Sequence, residues 1–377
     1  MELELAPSEE ASSKMPNRYV GRYFYPRYGV DIPLSGTLDA LVEPKTQYEI
    51  NAEEGCEYND CDMFVDFPKA HWKGRLTGAV YQGRRIDDET GKARTFSLRR
   101  VARYDPEKTQ PGSVQAVTEA ISGGVGSGLA YDAIIGMKQA PYEYLKLNGH
   151  AVPVGAERGD EKVAYQMWSD PRSVFKYPRL VRHPDAQVLK KINFLLEQRH
   201  WQMTLAALGC RATMYENSGP AAGSLGGYDD ETIQVTHLTT TLMSLYESGS
   251  TFCGGAHPDN HFDPYTFDLI RGEYLDWNRL FKAFVPGEYG WDVDPAMVKV
   301  IERALSENDE DETGYSAQLV KEYFSLFFDQ PGKLALAISG IGHWGGANLG
   351  VQAEVPFSEL KSVLKPGARR YLDPDDE

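Results

Sequence analysis

The chain has 377 residues, 41% of them hydrophobic and 25% charged, which excludes wholesale disorder and suffices to bury a core without a metal or a disulfide. Its 55 acidic and 39 basic side chains give a formal net charge of −16, and no basic cluster exceeds two residues (Arg84-Arg85, Arg99-Arg100, Lys190-Lys191), so a nucleic-acid partner is excluded for want of a phosphate-binding stripe. No apolar run approaches the ~18 residues of a transmembrane helix, so no membrane span is expected.

At ~100–200 residues per domain the length predicts two domains, or one large one. Residues 1–16 are acidic and polar, without the basic and apolar regions of a signal peptide, and read as a disordered tail. Residues 17–106 carry short alternating runs broken by turn residues. Strands are expected at 19–25, 31–38, 47–52, 63–67, 74–81 and 94–103, which makes a small all-β domain. Proline and glycine punctuate residues 107–136, read as a linker or Gly-rich loop with a short helix over 113–121. Its Ser122–Gly128 stretch lacks both the Walker lysine and the dinucleotide glycine spacing, so no nucleotide cofactor is implied.

Residues 137–366 mix helices and strands. Asp185 caps a predicted helix to about 208, with Val188, Ile192, Leu195, Leu196 and Leu205 near one face. Asp294-Pro295 starts a second helix, and a third is expected over 315–328. Strands are expected at 232–248, 265–270, 273–277, 334–339 and 351–355, with a hairpin turning at Arg271-Gly272. Helices and strands do not alternate strictly, so the fold class is α+β: a small all-β N-terminal domain followed by a mixed α+β domain. Residues 367–377 end in an acidic tail.

The four cysteines, Cys56, Cys61, Cys210 and Cys253, suit two disulfides or four buried thiols. No C-x-x-C pair supports a zinc site. A Cys56–Cys61 loop is short, and a Cys210–Cys253 loop would stabilise by roughly 4 kcal/mol in the chain-entropy model. The most distinctive segment runs Cys253-Gly254-Gly255-Ala256-His257-Pro258-Asp259-Asn260-His261. Its glycines mark a sharp turn that a ligand can approach closely. His257 and His261 stand four apart, but Pro258 disfavours a helical metal pair, so no metal is expected. A similar turn follows at His343-Trp344-Gly345-Gly346, and the two are candidates to face each other across one site. No local Ser/His/Asp or Cys/His signature selects a nucleophile, and nothing requires an enzyme.

The pieces Leu242–Leu245, Cys253–Pro258, Tyr265–Leu269, Gly272–Trp277 and Val355–Leu360 together resemble the domain-of-unknown-function family found in the extracytoplasmic region of the anti-sigma factor RsiV and beside some peptidoglycan deacetylases. Tyr177–Leu180 and Val188–Asn193 resemble the domain that precedes it, and Gly21–Tyr25, Leu34–Leu38 and Gly74–Gly78 resemble a small β-domain attached to some bacterial members. The resemblance implies a periplasmic or secreted protein, with disulfides, that binds a partner; in RsiV the region binds lysozyme. Neither a sigma-binding segment nor a deacetylase domain is present, so only the fold and a binding role carry over. The expected function is recognition of a lysozyme-like protein or a cell-wall glycan, with Gly254, Gly255, His257, Asp259, His261, His343 and Trp344 as contacts. The alternatives are a cell-envelope hydrolase with His257 and Asp268 as acid and base, and a structural envelope module without a ligand.

Overall fold

The computed structural model describes residues 1–7, 18–52, 63–103, 134–173, 175–218, 230–253, 258–288, 290–306, 315–340 and 349–372. The expected helix over 113–121, the Cys56–Cys61 pair, the last acidic residues and five of the seven expected contact residues lie outside them. The expected α+β class holds, with antiparallel sheets and packed helices.

The N-terminal part is one seven-stranded antiparallel meander in sequence order. Its strands are β1 (Glu2–Pro7), β2 (Tyr19–Phe24), β3 (Ile32–Thr37), β4 (Ala40–Pro44), β5 (Pro68–Thr77), β6 (Val80–Asp87) and β7 (Ala93–Arg99). Strand β1 falls in the expected disordered tail. Glu2-Leu3-Glu4-Leu5 alternates with period two, and Leu3 and Leu5 pack on the sheet core while pairing β2. The expected strand at 47–52 is instead helix α1 (Gln47–Ala52). Thr46 and Glu49 form a reciprocal capping box: Glu49 N–H donates to Thr46 Oγ1 (3.2 Å) and Thr46 N–H to Glu49 Oε2 (2.8 Å). Residues 63–66, also expected as strand, form the single helical turn α2 (Met63–Asp66). The expected strand at 74–81 is two strands meeting at Gly78, whose φ of 61° makes the tight turn.

The sheet curls. Tyr23 on β2 and Trp72 on β5 are three strand positions apart, roughly 14 Å in a flat sheet, yet their ring centroids lie 5.0 Å apart. Trp72 in turn meets Phe96 of β7 at 4.9 Å.

Helix α3 (Pro141–Leu147) starts with proline at its first turn and leads to a three-stranded sheet of β8 (Val152–Gly159), β9 (Ala164–Ser169) and β10 (Tyr177–Arg182). Helix α4 (Ala186–Ser218) follows, with Asp185 Oδ1 accepting from Gln187 and Val188 N–H as its cap. It runs ten residues beyond the expected end, and its C-terminal half is held by other elements: Leu208 lies under Gly29, and Glu216 accepts from Gln47 N–H.

The expected strand at 232–248 is a hairpin of β11 (Thr232–Leu238) and β12 (Leu242–Thr251), turned by Thr239, whose hydroxyl accepts from the Thr241 and Leu242 N–H groups. Strand β13 (Asp259–Asp268) pairs β12 over its full length, and β14 (Glu273–Tyr274) closes this sheet beyond the turn at Gly272 (φ 74°). A short ribbon of β15 (Phe284–Gly287) and β16 (Gly290–Val293) precedes helix α5 (Pro295–Ser306), capped by Asp294. The expected helix at 315–328 splits into α6 (Tyr315–Glu322) and strand β17 (Phe324–Phe327), because alternating Phe324 and Leu326 pair with β18 (Lys333–Ile338). Strand β19 (Gly350–Pro356) completes that three-stranded sheet. Residues 367–372, expected as tail, belong to a 3₁₀ turn (Pro366–Ala368) and helix α7 (Arg369–Leu372), with Ala368 and Tyr371 buried.

The layers run α4, the β11–β14 sheet, the β17–β19 sheet, then α5 and α6. Met243, Leu245, Tyr265 and Phe267 face α4, where Val188, Ile192, Leu196 and Met203 meet them. Phe262 on the opposite face meets Phe327, Ala335 and Ala337. Strand β18 is buried on both faces, and Leu334, Leu336 and Ile338 turn to Val300, Ile301 and Leu319 of α5 and α6. A strand covered on both faces needs an uninterrupted apolar run, as Leu334–Ile338 has.

Candidate functional site

Facing α4, side chains on β11, β12 and β13 fall into rows across the sheet. Towards the strand interior Leu245 stands opposite Tyr265; the next row outward is Ile233, Glu247 and Asp263; at the end Gly249 stands opposite His261 beside Glu231. A Cβ on Gly249 would lie 2.7 Å from Glu231 Oε2 and 3.3 Å from His261 Cε1. Glycine therefore leaves the gap through which His261 Nε2 reaches Glu231 Oε1 at 3.1 Å.

Glu247 and Asp263 are like charges directly opposite, an unfavourable cross-strand pair. Arg199 of α4 offsets it. Its Nη2 and Nε donate to the two Glu247 oxygens at 2.6 and 3.2 Å, its Nη1 donates to Gln202 Oε1 at 2.9 Å, and its guanidinium lies 4.7 Å over the Tyr265 ring. Tyr177 O–H donates to Glu247 Oε1 at 2.6 Å. His200 stacks on Tyr177, and burial pushes it down to about 3, so it is neutral.

Asp263 is less well served. The residue is 3% exposed; Ser339 O–H donates to its Oδ1 at 3.1 Å, and its Oδ2 has no hydrogen-bond partner. Burial, then the charge of Glu247, lifts its carboxyl to about 6. For His261, burial works against the charged form, but the hydrogen bond and charge of Glu231 outweigh it and raise its pKa above the ordinary histidine value. Burial also raises Glu231, against the pull of His261. The result is a carboxyl and an imidazole on one face of β13, both raised above their ordinary values.

The hairpin ends meet here. Ser339 follows the last residue of β18, and Asp263 lies near the start of β13. Phe262 stacks on Tyr246 at 5.0 Å, and Leu349, the residue before β19, packs in the same cluster. Cys210 of α4 is disulfide-bonded to Cys253 just past β12, with Cα atoms 4.8 Å apart. The described shoulders of the β12–β13 and β18–β19 connections thus adjoin, and one is covalently anchored.

Of the expected contact residues, Asp259 opens β13 and is exposed, while His261 is the largely buried partner of Glu231. Gly254, Gly255, His257, His343 and Trp344 lie outside the described residues. Asp268, the expected acid/base group of the hydrolase alternative, is 0% exposed and fully engaged. It accepts from Ile270 N–H, Arg271 N–H, Arg279 Nη1 and Tyr371 O–H, and so pins the β13–β14 hairpin. Sequence reasoning missed Glu231, Glu247, Arg199 and Tyr177. A signal existed: Glu247 follows Met243 and Leu245 in the buried phase of its strand, and Arg199 occupies the stripe of Val188, Ile192, Leu196 and Met203. A charge in an apolar phase marks a buried pair or a site. Among the described residues no group of three or more His, Cys, Asp or Glu side chains is arranged to hold a metal, and no helix is long and apolar enough to cross a membrane.

No family profile and no curated protein matches the chain. Among solved structures, a DUF3298 family member from Bacteroides fragilis is similar, at 13% identity and a TM-score of 0.36, over 59% of this chain and 97% of that one.

Proposed function

We propose that the protein is an extracytoplasmic bacterial binding protein, periplasmic or secreted, that recognises a lysozyme-like protein or a cell-wall component at the adjoining ends of the β12–β13 and β18–β19 hairpins. The observation that carries this reading is the junction of Asp263 with Ser339 and of Phe262 with Leu349, which brings the flanks of the two Gly-rich segments together. The Cys210–Cys253 bond supports the compartment, since disulfides persist in oxidising surroundings. The net charge of −16 favours a basic partner and would speed its approach. Gly254, Gly255, His257, Asp259, His261, His343 and Trp344 are the proposed contacts. A calorimetric titration with a c-type lysozyme, at about 0.15 M and about 0.5 M salt, tests it, because screening shortens from ~8 Å towards a few ångströms between the two. Sub-micromolar binding at both salts that weakens in Asp259→Ala is expected. Binding lost at the higher salt, or absent from the start, rules out lysozyme, and absence with peptidoglycan fragments as well overturns the reading.

One observation favours a second reading, an envelope hydrolase: Asp263 at about 6, close to the raised His261, lies in the range useful for general acid–base work. Release of soluble fragments from peptidoglycan, abolished in Asp263→Asn, would select it.

A further inference from the structure

The curl of the N-terminal sheet leaves a cavity of about 240 Å³ at its mouth. One wall comes from β2 and β3, with the Tyr23 and Tyr25 rings in edge contact at 5.6 Å. The other comes from β6 and β7, with Arg85, Lys92 and Arg94. Glu43, 4% exposed, forms the floor.

The floor is satisfied from within. Glu43 accepts from Tyr23 O–H at 2.8 Å and from Arg85 Nε and Nη2, both at 2.9 Å. This side-on grip leaves Arg85 Nη1 with only Asp87, at 3.9 Å. Arg94 stands directly across from Arg85 in the β6–β7 ladder, so two guanidinium groups share one face. Like charges so placed repel. Arg85 is neutralised by Glu43, whereas Arg94 and Lys92 have no ion-pair partner among the described residues. Cations therefore outnumber carboxylates at this mouth, in a chain that is otherwise strongly acidic.

We propose that this mouth binds a small ring-bearing monocarboxylate. Its carboxylate would bridge Arg94 and Arg85 Nη1, which Asp87 reaches only at 3.9 Å, in the gap the two like charges leave. Its ring would lie against Tyr25. Arginine is suited to the carboxylate because its planar fork donates two parallel hydrogen bonds. A cavity below the ~300 Å³ of drug-sized sites suits a single ring. The inference is independent of the hairpin site, which lies on other strands.

The test is a titration of the full chain with glucuronate and with benzoate, followed by tryptophan fluorescence, since Trp72 touches Tyr23. Methyl glucoside is the neutral control. Binding at about 1 mM or tighter, ~4 kcal/mol, is expected for at least one carboxylate. Arg94→Ala and Tyr25→Ala should each weaken it about tenfold, with the melting temperature unchanged for Arg94→Ala. Glucuronate alone would identify a sugar acid, benzoate alone an aromatic acid, and both a site that reads only the shared chemistry. Failure of both carboxylates to bind, equal binding of methyl glucoside, or full affinity in Arg94→Ala would overturn the proposal.

Discussion

The molecule holds two buried groups of opposite charge, built on different plans. At the hairpin site Arg199 and Glu247 are 2% and 0% exposed at their side chains, and every polar atom of the pair has a protein partner. Where the N-terminal sheet meets α3, five charges share one junction. Arg22 contacts Glu4 at 2.8 Å, Asp31 at 3.2 Å and also Glu143, while Lys146 and Tyr142 O–H each reach Asp31 at 2.7 Å. There Arg22 is 28% exposed, and Glu4 Oε1 and Glu143 Oε2 lack partners. Burial lowers Lys146 and raises Glu4. One group is a closed pair inside a core; the other is an open network that water still reaches.

The difference predicts unequal costs. Glu247→Ala strands a fully buried guanidinium and should lose about 3–5 kcal/mol. Glu143→Ala leaves Arg22 with Glu4, Asp31 and water, and should lose about 1–2 kcal/mol. Urea unfolding of the two variants measures both. Equal losses would erase the distinction between a closed pair and an open one.

These charges show how far the sequence was legible. Patterns set by neighbours in the chain were readable: the Asp185 and Asp294 caps, the Arg271-Gly272 turn and the α+β class all follow from local rules. The 47–52 segment misled because its Tyr-Glu-Ile run has strand character, while its capping box is set by Thr46 one residue before it. Residues 324–327 misled because their helical spacing continues that of α6, and only pairing with β18 ends the helix. Strand β1 was hidden by its glutamates, which belong to the face away from the core. At the site, His261 and Asp259 drew notice through glycine and histidine spacing. Glu231, Arg199 and Glu247 come from three distant segments and meet only through sheet register, which no local window contains.

Asp263 provides a second contrast, because its charge opposes the fold. Its folded pKa of about 6 lies above the ordinary 3.8. A raised carboxyl contributes stability that is fully present below about pH 4 and is lost as pH rises through 6. At ~1.4 kcal/mol per pH unit the loss at pH 7 is about 3 kcal/mol. Asp263→Asn keeps an oxygen for Ser339 and removes the charge beside Glu247. It should be more stable than the parent by about 2–3 kcal/mol at pH 7 and equal to it at pH 4. His261 also loses its contribution above its own raised pKa, so the difference between the two proteins, and not the parent profile, isolates Asp263. A variant that is less stable at pH 7 would mean that the carboxylate is held by a favourable contact, and the site would then resemble the closed Arg199–Glu247 pair.

An effect as small as that of Glu143→Ala should come from a residue that has no side chain. Gly249→Ala places a methyl group 2.7 Å from Glu231 Oε2 and 3.2 Å from Glu231 Cα. The carboxylate can swing aside, but the Cα is backbone, held one residue before the β11 ladder. The Glu231–His261 contact should therefore open, with a stability loss of about 1–2 kcal/mol. Without Glu231, only the charges of Asp263 and Glu247 oppose burial at His261, and its pKa should fall from its raised position. Following the His261 Cε1 proton by NMR across pH 5 to 8 reads this directly (~6.5 is the unperturbed midpoint). A midpoint that stays high, with little loss of stability, would show that the strand end yields easily. The outer row would then be as adjustable as the Arg22 junction, and the rigidity of the site would rest on Arg199, Glu247 and the Cys210–Cys253 bond alone.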